Sequence, residues 1–514
     1  MIGPVDRSGP LVLSFGQQQM WFLQRLDPSS TEYLVPSALR LRGVLDRGAL
    51  ERAWREVLAR HEVLRTRYVL EGVEPVQVVD AVSAPESAGA GLELVDLTGV
   101  ARGAREERAF ERVAAECGCA FDLEREWPVR AVLVCLGEAD HVLLVVFHHI
   151  ACDAWSNRLV LSELGALYGA FAAGRGSSLG EVGLQYADFA AWQREFMSGD
   201  RLAGELAHWD ERLAGLSALE LPLDRARGPV RSALGGEVDV VLPAAVGGRV
   251  REVAAGLGVT PFVVVLGAFQ VLLSRWAGRE DVAVGTVVSD RGRPELQSLV
   301  GYGINSVVIR HGWDARGSFA QLVEGLWPVV LEAFDHQGVP FARLVDELEP
   351  QRDMSRTPLY QVAFTMHEEG AAGERGLLGP GVVVEPFGVS GGVAKCDLEL
   401  QVLEGADGSL TVRLVYAREL FESASIERMA GHFARLLEGV LERPGVPLVR
   451  VGMLGEAERA QVSGQAVAAD SGDRTVHELF ELRAAATPGA VAVTAGDVSL
   501  TYGELNERAN RLAH

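Results

Sequence analysis

Apolar residues are spaced in two ways along this chain. Val129–Leu136 and His141–Phe147 are short, continuous runs rich in Val and Leu with a polar turn between them. This is the pattern of adjacent strands covered on both faces. Shorter runs at Leu39–Leu41, Thr66–Leu70, Val238–Leu242, Val282–Val288, Ser306–Ile309, Gln361–Thr365, Leu398–Leu403 and Leu410–Tyr416 predict further strands. Elsewhere apolar positions recur at helical spacing. Asp46–His61 carries Leu50, Trp54, Val57 and Leu58 on one face behind an Asp46 cap. Thr260–Trp276 has a Thr cap with Pro261 in its first turn, and Ser318–Gln337 opens on a Ser cap. Gln17–Leu26, Ala101–Cys117, Ser156–Ala172, Val250–Leu257 and Ser425–Glu442 are also predicted helices. Strands and helices alternate throughout, which predicts an α/β fold on mixed sheets.

The elements divide the chain. Residues 1–10 read as a tail, 11–180 as an N-terminal lobe and 181–455 as a C-terminal lobe in the same style. Residues 456–474, centred on the Gly/Ala/Ser/Asp stretch Ser463–Asp473, read as a linker. A new helix is predicted from Thr475, where Glu478 three residues on makes a capping box, in a last segment over 475–514.

Charge and composition narrow the function classes. The 514 residues hold 70 acidic and 48 basic side chains, a net charge of −22. Such a surface repels phosphate backbones and anionic lipid heads, so neither nucleic acid nor membrane is an expected partner. Lys395 is the only lysine. Five cysteines in a chain of this length do not suggest a disulfide framework, and Cys117 and Cys119 have no matching Cys/His pair for zinc, so no metal is expected. The N-terminus lacks a signal-peptide pattern. The longest apolar stretch, Pro261–Leu273, is too short to span a bilayer, so a cytoplasmic location is expected.

The candidate chemistry sits at His148-His149-Ile150-Ala151-Cys152-Asp153-Ala154-Trp155-Ser156, directly after a buried strand. Two histidines and a carboxylate at a strand-to-helix junction put titratable groups at a sheet edge, where sites commonly form. The segment resembles the HHxxxDG signature of condensation domains of non-ribosomal peptide synthetases, a superfamily shared with chloramphenicol acetyltransferase. Further stretches match that family in order: Ser14–Trp21, Arg60–Thr66, Tyr186–Trp192, Val300–Ser306, His336–Phe341 and Arg352–Leu359.

The resemblance implies two chloramphenicol-acetyltransferase-like lobes forming a pseudo-dimer around a substrate tunnel. It implies peptidyl carrier proteins, upstream and downstream, that present thioesters on phosphopantetheine arms; the chain itself binds no cofactor. An acceptor amine attacks a donor thioester, and the peptide moves to the acceptor. His149 would orient that amine or accept its proton, and the residues leave both roles open. His148 would be buried and hold the loop. Asp153 would point away from the tunnel and pair with Arg65 of the second motif. Ala154, Trp155, Ser156, Tyr302, Asn305 and Ser306 are the expected tunnel residues, and Trp155-Ser156 suits a family member taking an L-configured donor. The family glycine after the aspartate is Ala154 here. It would strain the loop if φ were positive and be harmless otherwise. Cys152 is expected to be structural.

Leu500–Asn506 resembles the first motif of adenylation domains, so 475–514 is expected to be the start of one, continuing beyond residue 514 in a full module. About 40 residues rarely bury enough core to fold alone. Two other readings share the histidine motif. An epimerization domain is disfavoured by the following adenylation start. A catalytically silent module that recruits partner proteins is disfavoured by the intact histidines and Asp153.

Overall fold

The computed structural model describes residues 2–82, 90–349, 353–368, 378, 381–388, 392–465, 475–495 and 498–513. The fold is mixed α/β, as the alternation predicts. Residues Met1–Met453 form one compact unit and Leu454–His514 a second.

The first unit is organised around a five-stranded and a six-stranded sheet, with a small three-stranded sheet beside them. In the five-stranded sheet Asp140–His148 is the middle strand, between Leu34–Arg42 and Val129–Gly137, both antiparallel to it. From His141 onward every residue of that strand is buried, which explains its uninterrupted apolar run. The six-stranded sheet runs in the order Ile304–Gly312, Asp281–Ser289, Val362–Glu368, Leu398–Glu404, Leu410–Ala417, Gly235–Leu242.

Each large sheet has its own core. Trp54, Trp127 and Phe147 lie in the first, and Phe269, Phe364 and Phe433 in the second. The helix Pro261–Ala277 is buried continuously from Val263 to Ser274, as expected of a helix apolar on all sides. No single helix among the described residues is long and apolar enough to cross a membrane.

The two cores do not divide at residue 180. Tyr186, Phe189 and Ala190 pack into the first core, so the helix Tyr186–Phe196 belongs with it and not with the segment after residue 180. Leu296, Leu299 and Val300 also reach into the first core, from the loop joining two strands of the second sheet. Val383–Pro386 completes the first sheet as an edge strand beside Leu34–Arg42. The expected tail is tied down as well. Val5 N–H donates to Asp188 (2.8 Å), and Arg7 bonds both Asp188 and Glu62.

In the second unit the helix Glu456–Gln465 occupies the first part of the expected linker; residues 466–474 lie outside the described residues. Thr475 and Glu478 form the predicted capping box on the helix Val476–Ala486. A two-stranded ribbon, Val491–Ala495 with Val498–Thr501, leads to the helix Tyr502–Ala513.

Candidate active site

The middle strand of the first sheet ends on His148. Two backbone bonds hold the exit: His148 N–H donates to the Pro128 carbonyl (2.9 Å) and His149 N–H to the Tyr33 carbonyl (2.7 Å). A tight turn follows, closed by Ala151 N–H on the His148 carbonyl (3.0 Å). Asp153 then caps the helix Ala154–Ala172, accepting from Ser156 N–H at 2.8 Å.

The two histidines are held differently. His148 is fully buried. Its Nδ1 accepts from Ile150 N–H (3.1 Å), so Nε2 carries the proton and donates to Gln24 Oε1 (3.2 Å). Burial, and then His149, push its pKa down to about 3. His149 points the other way. Its Nδ1–H donates to the Cys152 carbonyl at 2.9 Å, which leaves Nε2 with a lone pair. Burial is the main cause that lowers its pKa to about 3; the Lys395 ammonium adds to this and Asp153 opposes it. The ring meets Tyr302 edge-on, with centroids 5.1 Å apart.

His149 lines a cavity of about 1930 Å³ walled by residues of both sheets and the helices beside them. Tyr302, Asn305 and Ser306 line it too, as do Asp290 and Lys395. Gly16 matters for this wall: a Cβ there would lie 2.4 Å from the Tyr302 ring. Asn305 lines the cavity, but its amide is committed elsewhere. It donates to the carbonyls of Gln337 (2.8 Å) and Val339 (2.6 Å) and accepts from Phe341 N–H (3.0 Å). The fifth motif therefore pins the sixth. Ser306 Oγ faces the Tyr360 hydroxyl at 3.5 Å.

Ala154, Trp155 and Ser156 lie off the cavity. Ala154 is the exposed first residue of its helix, with a negative φ: Leu359 is the only described residue other than glycine with a positive one. Its methyl therefore strains nothing. Trp155 projects outward, with its Nε1–H on the Gln297 carbonyl (2.8 Å). Ser156 is buried and bonds across to Gly301, accepting from its N–H (3.0 Å) and donating to its carbonyl (2.8 Å). Trp155 and Ser156 thus bond to the loop between two strands of the second sheet, at Gln297 and Gly301.

The expected Asp153–Arg65 pair does not form. Arg65 lies in the short helix Glu62–Arg65, which directs its guanidinium to the Asp80 carbonyl, with Glu62 4.0 Å away. Asp153 instead pairs with Arg291, which follows the strand Asp281–Ser289 of the second sheet. The two Arg291–carboxylate bonds measure 2.6 and 3.1 Å. Ser156 N–H and Gly303 N–H (2.9 Å) complete the acceptor set of Asp153. Arg291 also donates to Ser156 Oγ (2.8 Å) and to the carbonyls of Leu299, Gly301 and Gly303. A Cβ on Gly303 would come 2.5 Å from that guanidinium. Both partners are almost wholly buried, so the pair locks the loop of the second sheet under the histidine turn of the first.

Cys152 is buried off the cavity, and burial pushes its thiol well above the ordinary range, away from the thiolate a nucleophile needs. Arg352, the first residue of the last motif, lies outside the described residues. Arg291, Asp290, Lys395 and Gln24 carry no mark in the spacing. The one available signal was a polar Asp-Arg pair closing an apolar strand at Asp290-Arg291.

A family model for the condensation domain matches residues 8–463. The chain is 37% identical over 519 residues to one of the linear gramicidin synthase proteins of Brevibacillus parabrevis, a match that takes in all of this chain and 10% of that protein. It thus spans about a tenth of that relative's length. The X-domain from teicoplanin biosynthesis superposes with a TM-score of 0.79 at 30% identity, covering 88% of this chain and 100% of that one. A four-domain non-ribosomal peptide synthetase, AB3403, superposes with a TM-score of 0.78 at 21% identity, covering 98% and 38%. With its histidine turn, cavity and family match in agreement, the chain belongs to the condensation-domain family.

Proposed function

We propose that this condensation domain joins two carrier-bound acyl groups by an amide bond. It is an acyltransferase-type enzyme. The acceptor's amine nitrogen attacks the donor's thioester carbonyl, a C–N bond forms as the C–S bond breaks, one amine proton ends on the departing sulfur as a thiol, and the donor chain passes to the acceptor. One observation carries the reading: a neutral His149 whose Nδ1–H is committed to Cys152, leaving the Nε2 lone pair in a cavity walled from both sheets.

The electrostatics favour positioning over general base catalysis. An α-ammonium has a pKa of roughly 7.7–8.0. A histidine at about 3 is a poor acceptor for its proton in the ground state. The same lone pair is a good hydrogen-bond acceptor for a neutral amine. Holding that amine against a thioester can supply up to ~7–11 kcal/mol of the barrier. His148 and Asp153 act through the turn, and Arg291 takes the part expected of Arg65.

The substrates arrive on the phosphopantetheine arms of peptidyl carrier domains upstream and downstream, the donor being L-configured. The cavity has room for such arms, and Arg194 and Arg343 in its wall offer charge for a phosphate. Burial, and then the like charge of Arg343, lower the pKa of Arg194; an anion between the two would relieve that repulsion. Residues 475–514 are the start of an adenylation domain, and the match to the linear gramicidin synthase protein, which runs the length of the chain, supports that reading. The setting is cytoplasmic.

The X-domain of teicoplanin biosynthesis has also been solved in complex with OxyB, so a similar domain can take another kind of partner, but a silent partner-recruiting module is not the favoured reading. The ordered tautomer and open Nε2 of His149 argue for chemistry instead. Reconstitution with two loaded carrier proteins tests the choice. Amide on the acceptor carrier supports the enzyme, and carrier binding without amide supports the module.

A further inference from the structure

Asp290 stands next to the Asp153–Arg291 lock but takes no part in it. Its N–H is fixed on the Gly303 carbonyl (3.0 Å), and its side chain lines the same cavity as His149. The neighbouring guanidinium of Arg291 is turned away and already bonded to Asp153, Ser156 and three carbonyls. What Asp290 has is the neutral amide of Gln193 at 3.4 Å, itself held by Phe15 N–H (3.1 Å). Among the described residues no cation forms an ion pair with it. Tyr186 and Tyr302 are its other neighbours, and both remain protonated at neutral pH. A half-buried carboxylate without a cation is costly. Such a group in a wall that substrate must pass calls for a positive ligand.

We infer that Asp290 receives the acceptor's ammonium group before the amine reaches His149. The inference rests on the reading of the cavity as the route of carrier-bound amines. At neutral pH most of an α-amine arrives as the cation, whereas attack requires the neutral form. Asp290 pairs with that cation and takes one proton: an N–H bond breaks, an O–H bond forms on the carboxylate, and the proton passes to solvent through the open cavity. The freed amine turns to His149 Nε2. Tyr302 links the two stations, touching the His149 ring and feeling the Asp290 charge. Burial, and after it Asp153, push the Asp290 carboxyl up to about 6 against the pull of Arg291. The group therefore exchanges protons near working pH.

The test is a reconstituted condensation assay on the full chain, comparing wild type with Asp290→Asn and Asp290→Ala. Acceptor carriers would be loaded with alanine or with ornithine, between pH 5 and 8. The expected result is a loss of tenfold or more in kcat/KM, equal for both acceptors. The wild-type rate should hold down to about pH 6 and fall below it, whereas the Asn variant should already fall below about pH 8 with the fraction of neutral amine, with melting temperatures at or above wild type. Wild-type rates in both variants would overturn the inference. So would a loss confined to ornithine, which would make Asp290 a side-chain selector, or a loss accompanied by lowered melting temperatures, which would make it structural. A wild type that forms no amide with any pair would overturn the reading of the cavity, and this inference with it.

Discussion

Asp153 and Arg291 are 138 positions apart in the sequence and joined by two N–H···O bonds, at 2.6 and 3.1 Å, in the interior of the domain. The bond crosses from the turn that carries His149 to the loop that carries Tyr302. The conformation of the site is therefore a property of both sheets. Neither histidine needs to hold the turn alone.

Removing one partner should leave the other as an uncompensated buried charge. Arg291→Met or Asp153→Asn is expected to destabilise the domain by about 3–5 kcal/mol, read from urea denaturation midpoints. Arg291→Lys should also be costly, because a single ammonium cannot reproduce the fork. Arg65→Ala should cost far less, since that side chain reaches only the Asp80 carbonyl and, at 4.0 Å, Glu62. Equal losses for Arg65 and Arg291 variants would contradict this assignment.

The Asn305 amide makes three bonds that fasten the segment from Gln337 to Phe341. Asn305→Asp keeps the size but sets a carboxylate against two carbonyl oxygens. It should destabilise by about 1–3 kcal/mol and raise hydrogen exchange at Phe341 first. If Asn305 instead served only to touch substrate, stability would stay at the wild-type value and KM alone would move.

Ala154 begins a helix and has a negative φ. Restoring the family glycine should therefore give no gain. Ala154→Gly is expected to keep the condensation rate within about twofold and to lower stability by up to ~1 kcal/mol. A large rise in rate would show that the methyl obstructs the site.

Both histidines should make the domain sensitive to acid. Their folded pKa values, about 3, lie below the unfolded ~6.5, so their contribution is complete above pH 6.5 and is lost as pH falls toward 3. At pH 5 each should cost about 2 kcal/mol. Asp290 works in the opposite direction, since its carboxyl is raised to about 6 and protonation relieves it. Urea midpoints at pH 7 and pH 5 test this: the drop should be smaller in His148→Asn than in wild type. An unchanged drop would place the sensitivity elsewhere.

Much of the fold was readable because the strongest signals are local. The unbroken apolar run ending in His148 reflects a strand covered on both faces, and the caps at Asp46, Ser318 and Thr475 form as their spacing predicts. Leu92–Asp96 and Val383–Pro386 were not legible, because edge strands with one partner need no continuous apolar face. The site divides along the same line. His148, His149 and Asp153 stand in one turn and were found as one motif. Arg291 reaches that turn through the crossing of a loop between sheets, and residue spacing carries no trace of such a crossing. The assignment of Arg65 failed there.

The central claim is that His149 acts through a free Nε2 in the shared cavity. The most direct measurement is an intact-mass assay of dipeptide formation on an acceptor carrier, with wild type and His149→Ala in parallel. The structure predicts dipeptide with wild type and a loss of at least about 10²-fold in the variant. The variant's melting temperature should stay close to wild type, because it gives up a single bond to the Cys152 carbonyl. A variant that condenses at the wild-type rate, or a wild type that binds both carriers and joins nothing, would contradict the account.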